Sequence, residues 1–146
     1  MPRRMISQVI AGQTLVTAEP QTTVRAAARM MAEKRVGAVL VLESGRLAGI
    51  FTERDALNKV LAVGLDADVT PLAQVMVRNL QTIGPDKPLA YALHMMAEGG
   101  FRHVPVVDAA GAPLGMVSAR DALGQDMVDL ERDLERLSEL ENSIGY

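Results

Sequence analysis

The sequence predicts an α+β protein, an α/β-type sandwich of two pseudo-twofold-related βαββα repeats followed by a C-terminal helix. Three observations carry that prediction. The chain matches itself over most of its length. Each copy passes from a helical apolar period to two short β-rich runs, then back to a helical pattern. After the second copy the pattern changes to leucines at heptad spacing among charges.

The self-match comes in three blocks. Thr17-Ala18-Glu19-Pro20 matches Thr82-Ile83-Gly84-Pro85, and Met30-Met31-Ala32-Glu33 matches Met95-Met96-Ala97-Glu98, both at an offset of 65 residues. Gly49-Ile50-Phe51-Thr52-Glu53-Arg54-Asp55-Ala56-Leu57 matches Gly115-Met116-Val117-Ser118-Ala119-Arg120-Asp121-Ala122-Leu123 at an offset of 66. The extra residue enters between Ser44 and Gly49, where a turn is expected and length changes are tolerated. The period exceeds the roughly 20–50 residues of solenoid arrays, so two copies point to a pair.

Each element follows in order. Ile6, Val9 and Ile10 predict a short lead-in helix, repeated as Leu72, Val75 and Met76. Val24, Ala27, Ala28 and Met31 fall on one helix face, as do Leu89, Ala92, Leu93 and Met96. Strands are expected at Ala38–Leu42 and Val104–Val107, then at Leu47–Phe51 and Leu114–Val117. Ser44-Gly45 suits a tight hairpin, and the second copy uses the longer Ala109-Ala110-Gly111. Second helices begin near Glu53 and Ala119; the first is expected to turn Leu57, Val60 and Leu61 inward and to stop at Gly64. The expected division is repeat one at 7–64, repeat two at 72–127 and the helix or tail at 128–146. A unit this small cannot bury enough apolar surface alone. Two copies packed face to face can, and they create two related clefts between them.

Composition narrows the function. The chain has 146 residues, a net charge of -3 and 49% hydrophobic residues, which argues for a packed core and against disorder. Aromatic residues are only 3%, which disfavours a stacking reader of single-stranded nucleic acid. With no cysteine, disulfides, thiolate metal sites and cysteine nucleophiles are excluded. No apolar run approaches the roughly 20 residues of a membrane span, and Met1-Pro2-Arg3-Arg4 opens no secretory signal. The expected location is the cytoplasm. Arg3-Arg4 is too small a basic patch for DNA binding.

The Gly49–Asp55 run and its copy Gly115–Asp121 resemble the signature of CBS domains, named after cystathionine β-synthase. Arg102-His103-Val104-Pro105-Val106 is similar to the family's first core strand, and the resemblance covers about Ser7 to Met127. It implies a Bateman module, a free-standing pair of CBS units whose two clefts take AMP, ADP, ATP, NAD or S-adenosylmethionine and which regulates another protein. It also implies that Thr17 and Thr82 face the ligand, and that such modules pair as discs through their helices.

The residues of the signature have their own chemistry. Thr52 and Ser118 stand where a strand gives way to a helix, whose first N–H groups lack internal partners and favour a phosphate. Asp55 and Asp121 lie three residues on, and a carboxylate matches the two hydroxyls of a ribose diol. Arg54 and Arg120 are placed to offset phosphate charge. Val36, Gly37, Ala38 and Phe101, at the mouths of the core strands, are candidates to line an adenine slot. A second reading stays open: Thr-x-x-Asp and Ser-x-x-Asp before a helix also describe a capping box. Arg102 and His103 are placed by the resemblance near ligand phosphates; the alternative for His103 is a half-exposed strand-end histidine. The first copy has Gly37-Ala38 there, so the clefts are expected to differ, with the one near Arg102 and His103 preferring more phosphate charge.

His94 reads as a helix-surface residue, and two distant histidines without cysteine make no metal set. Leu123, Met127, Leu130, Leu134 and Leu137 form a heptad seam expected to pack on a partner chain, making a homodimer. The expected function is a non-enzymatic regulatory module with no required cofactor, an adenine nucleotide as ligand and a target protein to control. The alternative is a constitutive interaction module without a small-molecule ligand. No nucleophile–base pair, P-loop or metal cluster speaks for catalysis, and Asp55 and Asp121 are expected in separate clefts.

Overall fold

The computed structural model describes residues 4–144. Repeat one contributes a lead-in helix α1 (Ile6–Ile10), strand β1 (Thr17–Ala18), helix α2 (Val24–Lys34), the hairpin β2 (Ala38–Glu43) and β3 (Arg46–Thr52), and a short helix α3 (Glu53–Asp55). A π-helix follows over Ala56–Leu61. Repeat two contributes α4 (Leu72–Val75), α5 (Leu89–Gly99), the hairpin β4 (His103–Val107) and β5 (Pro113–Ser118), and α6 (Ala119–Ile144).

The local signals act as their chemistry requires. The Thr23 hydroxyl accepts the Ala26 N–H and caps α2. Ser44 and Gly45 both take positive φ, 52° and 77°, which lets two residues close the β2–β3 hairpin. Strand β2 pairs antiparallel with β3 and parallel with β1, while β4 pairs antiparallel with β5. The first strand of repeat two shrinks to one parallel bridge, Ile83 to Val106. Both hairpins carry an irregularity at corresponding places, between Val41 and Leu42 and between Val106 and Val107.

Each lead-in helix belongs to the other repeat. Ile6 of α1 is fully buried with Ile83, Leu89, Val104 and Val117 of repeat two. Leu72 and Val75 of α4 lie in the core of repeat one with Val24, Met31 and Phe51. Backbone bonds fasten the exchange: Ile6 N–H to Lys87 O, and Leu72 N–H to Thr22 O, both at 2.9 Å. A third cluster joins the two sheets, with Leu40 and Ile50 of repeat one packed near Met116 of repeat two. The exchange ties the two repeats into one body, because neither core is complete without a segment of the other.

One expectation is corrected. Of Leu57, Val60 and Leu61 only Val60 is buried; Leu57 is 56% and Leu61 75% exposed. The reason is the π-helix. Its wider turn, with Ala62 N–H bonded to Leu57 O, puts residues five apart on one face. Asp55 and Val60 therefore face inward, and an i, i+3, i+4 pattern does not read such a segment. Helices α2 and α5 both end in a left-handed C-cap but with different residues: Gly100 at φ 72° closes α5, whereas Arg35 at φ 55° closes α2. Glycine adopts that left-handed region freely, and arginine does so at a cost of about 1 kcal/mol.

The terminal helix α6 starts at Ala119 and runs through Gly124 to Ile144 without a break. Its Leu130, Leu134, Leu137 and Leu140 are exposed. Leu123 and Met127 of the expected seam lie outside the described side chains. No helix among the described residues is long and apolar enough to cross a membrane.

Candidate functional site

The strand-to-helix junctions share one backbone-to-carboxylate bond in both repeats. The Thr52 hydroxyl accepts the Asp55 N–H at 3.2 Å, and Asp55 Oδ2 accepts the Thr52 N–H at 3.0 Å. The Thr52 O–H also donates to Asp55 Oδ2 at 3.1 Å. At the second junction Asp121 Oδ2 accepts the Ser118 N–H at 2.7 Å. The capping-box reading is thus what the first junction forms. The carboxylates are oriented by that box, which leaves their other oxygen for a further partner.

That other oxygen differs between the two. Asp55 Oδ1 meets the Lys59 ammonium at 3.1 Å, and Lys59 also donates to Val75 O at 3.1 Å. Asp55 is 7% exposed, whereas Asp121 is only half-buried. Among the described residues Asp121 makes no ion pair.

Two clefts lie between the repeats, and each draws on both. The first has a volume of about 580 Å3 and brings Thr52, Arg54 and Asp55 of repeat one against Phe101, Arg102 and His103 of repeat two. The second, of about 340 Å3, brings Val36, Gly37 and Ala38 of repeat one against Ser118, Arg120 and Asp121 of repeat two. Twelve predicted residues thus fall into two sets of six related by the repeat. Asp55 and Asp121 stand in separate clefts.

Thr17 and Thr82 are not among the residues that line these clefts. Thr17 is half-buried within β1 opposite Leu40, and Thr82 is exposed. The cleft walls take the extended segments just before them, Thr14-Leu15-Val16 and Asn79-Leu80-Gln81. The 65-residue offset links these two tripeptides, so extending the self-match three residues toward the N-terminus would have found them. Leu57, outward on the π-helix, also lines the first cleft.

His103 sits where the cavities meet. It lines both clefts and a third hollow between them. Burial holds its imidazole below the usual range; Glu53 pulls it up, while Arg120 and Arg102 push it down. Gly37 makes room for this cluster: a methyl group there would lie 3.0 Å from Glu53 Oε1 and 3.6 Å from His103 Nε2. Arg54 and Arg102 line the first cleft together with Glu53 and Asp55, and Arg120 lines the second together with Asp121, while His103 lines both.

Two interlocked α+β repeats, with a strand-to-helix junction on each side of the interface, define a tandem fold of the CBS type. The CBS domain model matches residues 6–62 and 72–126, and the chain belongs to the CBS domain family. A CBS domain-containing protein of Arabidopsis thaliana is 35% identical over 83% of this chain. The chain spans about a fifth of that relative's length, 22%. A putative signal-transduction protein with CBS domains from Burkholderia ambifaria superposes with a TM-score of 0.79 at 29% identity, covering 86% of this chain and 95% of the other. A CBS domain protein from Pyrobaculum aerophilum, complexed with AMP, superposes at 0.77 with 26% identity, covering 87% and 96%.

Proposed function

We propose that this CBS pair is a regulatory module that binds an adenine nucleotide in its inter-repeat clefts and passes that state to a partner protein. The observation that carries the reading is the paired construction of the clefts. Each sets a Thr/Ser-x-x-Asp junction of one repeat against the first hairpin strand of the other. The helix N-terminus favours phosphate, the oriented carboxylate suits a ribose diol, and the apolar wall suits a base. The AMP held by the similar Pyrobaculum protein supports the class of ligand.

Binding between two repeats that share cores changes the free energy of their relative placement, which is the coupling a regulator needs. The exposed leucines of α6 support a homodimer as the form in which the module acts. A thermal-shift screen with AMP, ADP, ATP, NAD and S-adenosylmethionine tests the reading, since a ligand of the native state raises the midpoint by mass action. A rise with one ligand that Asp121→Ala abolishes supports it. No rise at millimolar ligand with a folded protein leaves the constitutive interaction module as the better account.

A further inference from the structure

The carboxylate that the first cleft offers to a ribose is already committed. Asp55 Oδ2 accepts both the N–H and the O–H of Thr52, at 3.0 and 3.1 Å, and Oδ1 accepts from the Lys59 ammonium at 3.1 Å. A carboxylate has about four acceptor positions, two on each oxygen. Both positions on Oδ2 and one on Oδ1 are therefore filled, and a single acceptor position remains for a diol that brings two donors. The Thr52 hydroxyl is closed as well, since it donates to Asp55 Oδ2 and accepts the Asp55 N–H.

Lys59 is a fixed cation. It lies four residues after Asp55, on the π-helix, and a second N–H of its ammonium donates to the carbonyl of Val75, a core residue of repeat one. Lys59 is not among the residues that line the first cleft, so it holds the carboxylate from outside the ligand's space. A charge-assisted bond from an ammonium is roughly twice as strong as one from a neutral hydroxyl, so a ribose hydroxyl does not displace it. The second junction is built without this cation. The position 66 residues after Lys59 is Gln125, whose amide carries no charge. Asp121 Oδ2 takes the Ser118 N–H at 2.7 Å, and its Ser118 O–H contact is long, at 3.4 Å. Asp121 makes no ion pair among the described residues.

We infer that Lys59 sets the sugar specificity of the pair: by occupying Asp55 Oδ1 it denies the first cleft a ribose diol, and it leaves the second cleft, at Asp121, as the one that reads the sugar. Each chain then has one ribose-selective site. The first cleft is left to ligands that present at most one hydroxyl to Asp55, such as a deoxyribose or a compound without a sugar. Lys59 acts through Asp55 and is a positioning residue. The inference rests on the nucleotide reading of the clefts given above.

The test is calorimetric titration with AMP and with 2′-deoxy-AMP. It uses the wild-type chain, Lys59→Gln, Asp121→Ala, and Asp121→Ala combined with Lys59→Gln or with Lys59→Arg. The wild type is expected to bind AMP about tenfold more tightly than 2′-deoxy-AMP at one site per chain, the effect of one hydrogen bond to a charged group. Lys59→Gln alone should raise the AMP-preferring sites to two per chain. Asp121→Ala should lose the preference although Asp55 is intact. Adding Lys59→Gln to it should restore the preference, and adding Lys59→Arg, which keeps the cation, should not. Selectivity gained by a second substitution is not a product of misfolding. An AMP preference retained by Asp121→Ala overturns the inference and leaves the nucleotide reading intact. So does a folded Lys59→Gln chain, alone or with Asp121→Ala, that gains no AMP-preferring site. No AMP binding by the wild type counts against the nucleotide reading itself, and the inference falls with it.

Discussion

Asp55 Oδ1 and Lys59 Nζ lie 3.1 Å apart, and the same ammonium reaches the carbonyl of Val75. One lysine thereby fixes the carboxylate of the first cleft and staples the π-helix to α4, the segment that crosses from repeat two. The position 66 residues after Lys59 is Gln125, so the sequence repeats the carboxylate but not its cation.

The two aspartates should therefore respond differently to substitution. Asp55→Ala removes a reciprocal cap and leaves a lysine without its partner, and is expected to cost about 2 kcal/mol. Asp121→Ala should cost about 1 kcal/mol, the value of a single cap. Ligand affinity should show the opposite order, since Asp121 has the more accessible carboxylate. Urea denaturation of both variants, with ligand titration, measures the two orders; a larger stability loss for Asp121→Ala would contradict the geometry.

The exchanged lead-ins predict where damage goes. Ile6→Ala opens a cavity in the core of repeat two and should cost about 2–5 kcal/mol, although residue 6 opens repeat one. Hydrogen exchange should show the loss in β4 and β5 before β2 and β3. Equal loss of protection in both hairpins would mean that the cores melt as one unit.

Gly49 and Gly115 admit the crossing segments. A methyl at Gly49 would meet the Val77 carbonyl oxygen at 2.8 Å, and one at Gly115 would meet Ile10 Cβ at 2.8 Å. The first obstacle is backbone, held by the reciprocal Ile50–Val77 pair. Gly49→Ala and Gly115→Ala are each expected to cost about 1–3 kcal/mol, read as a lower midpoint in thermal unfolding.

His103 predicts a pH dependence. Its folded-state pKa lies below the value of 6.5 expected when unfolded. Between those two values the unfolded chain binds more protons, so stability rises with pH there and falls as pH drops from 6.5. His103→Gln should flatten that slope. A ligand phosphate beside the imidazole favours the charged form and should shrink the slope in the wild type too. Thermal midpoints across pH 5–8 measure all three, where the range spans the histidine's titration.

The leucines of α6 predict self-association. Leu134→Arg should move the sedimentation coefficient toward that of a single chain and leave the fold of residues 4–118 unaltered, as seen by circular dichroism. An unchanged sedimentation coefficient would show that the exposed row is not the contact.

The repeat, the order of its elements and most of the site were legible because they rest on local patterns. Helix faces such as Val24, Ala27 and Met31, the Ser44-Gly45 turn and the Thr52–Asp55 box each depend on residues close in sequence. The duplication then pointed to a matching junction in the second repeat. Tertiary structure alone decided the rest. It set α1 in the core of repeat two and α4 in that of repeat one, because each core lacks apolar surface that only the other lead-in supplies. It turned Leu57 and Leu61 outward through a π-helix whose period no apolar pattern announces. It moved the cleft wall from Thr17 and Thr82 to the tripeptides before them, and it gathered Arg35, Arg102 and Arg120 around one hollow. Residues so far apart in sequence become neighbours only through packing, and their combined charge is a property of that arrangement.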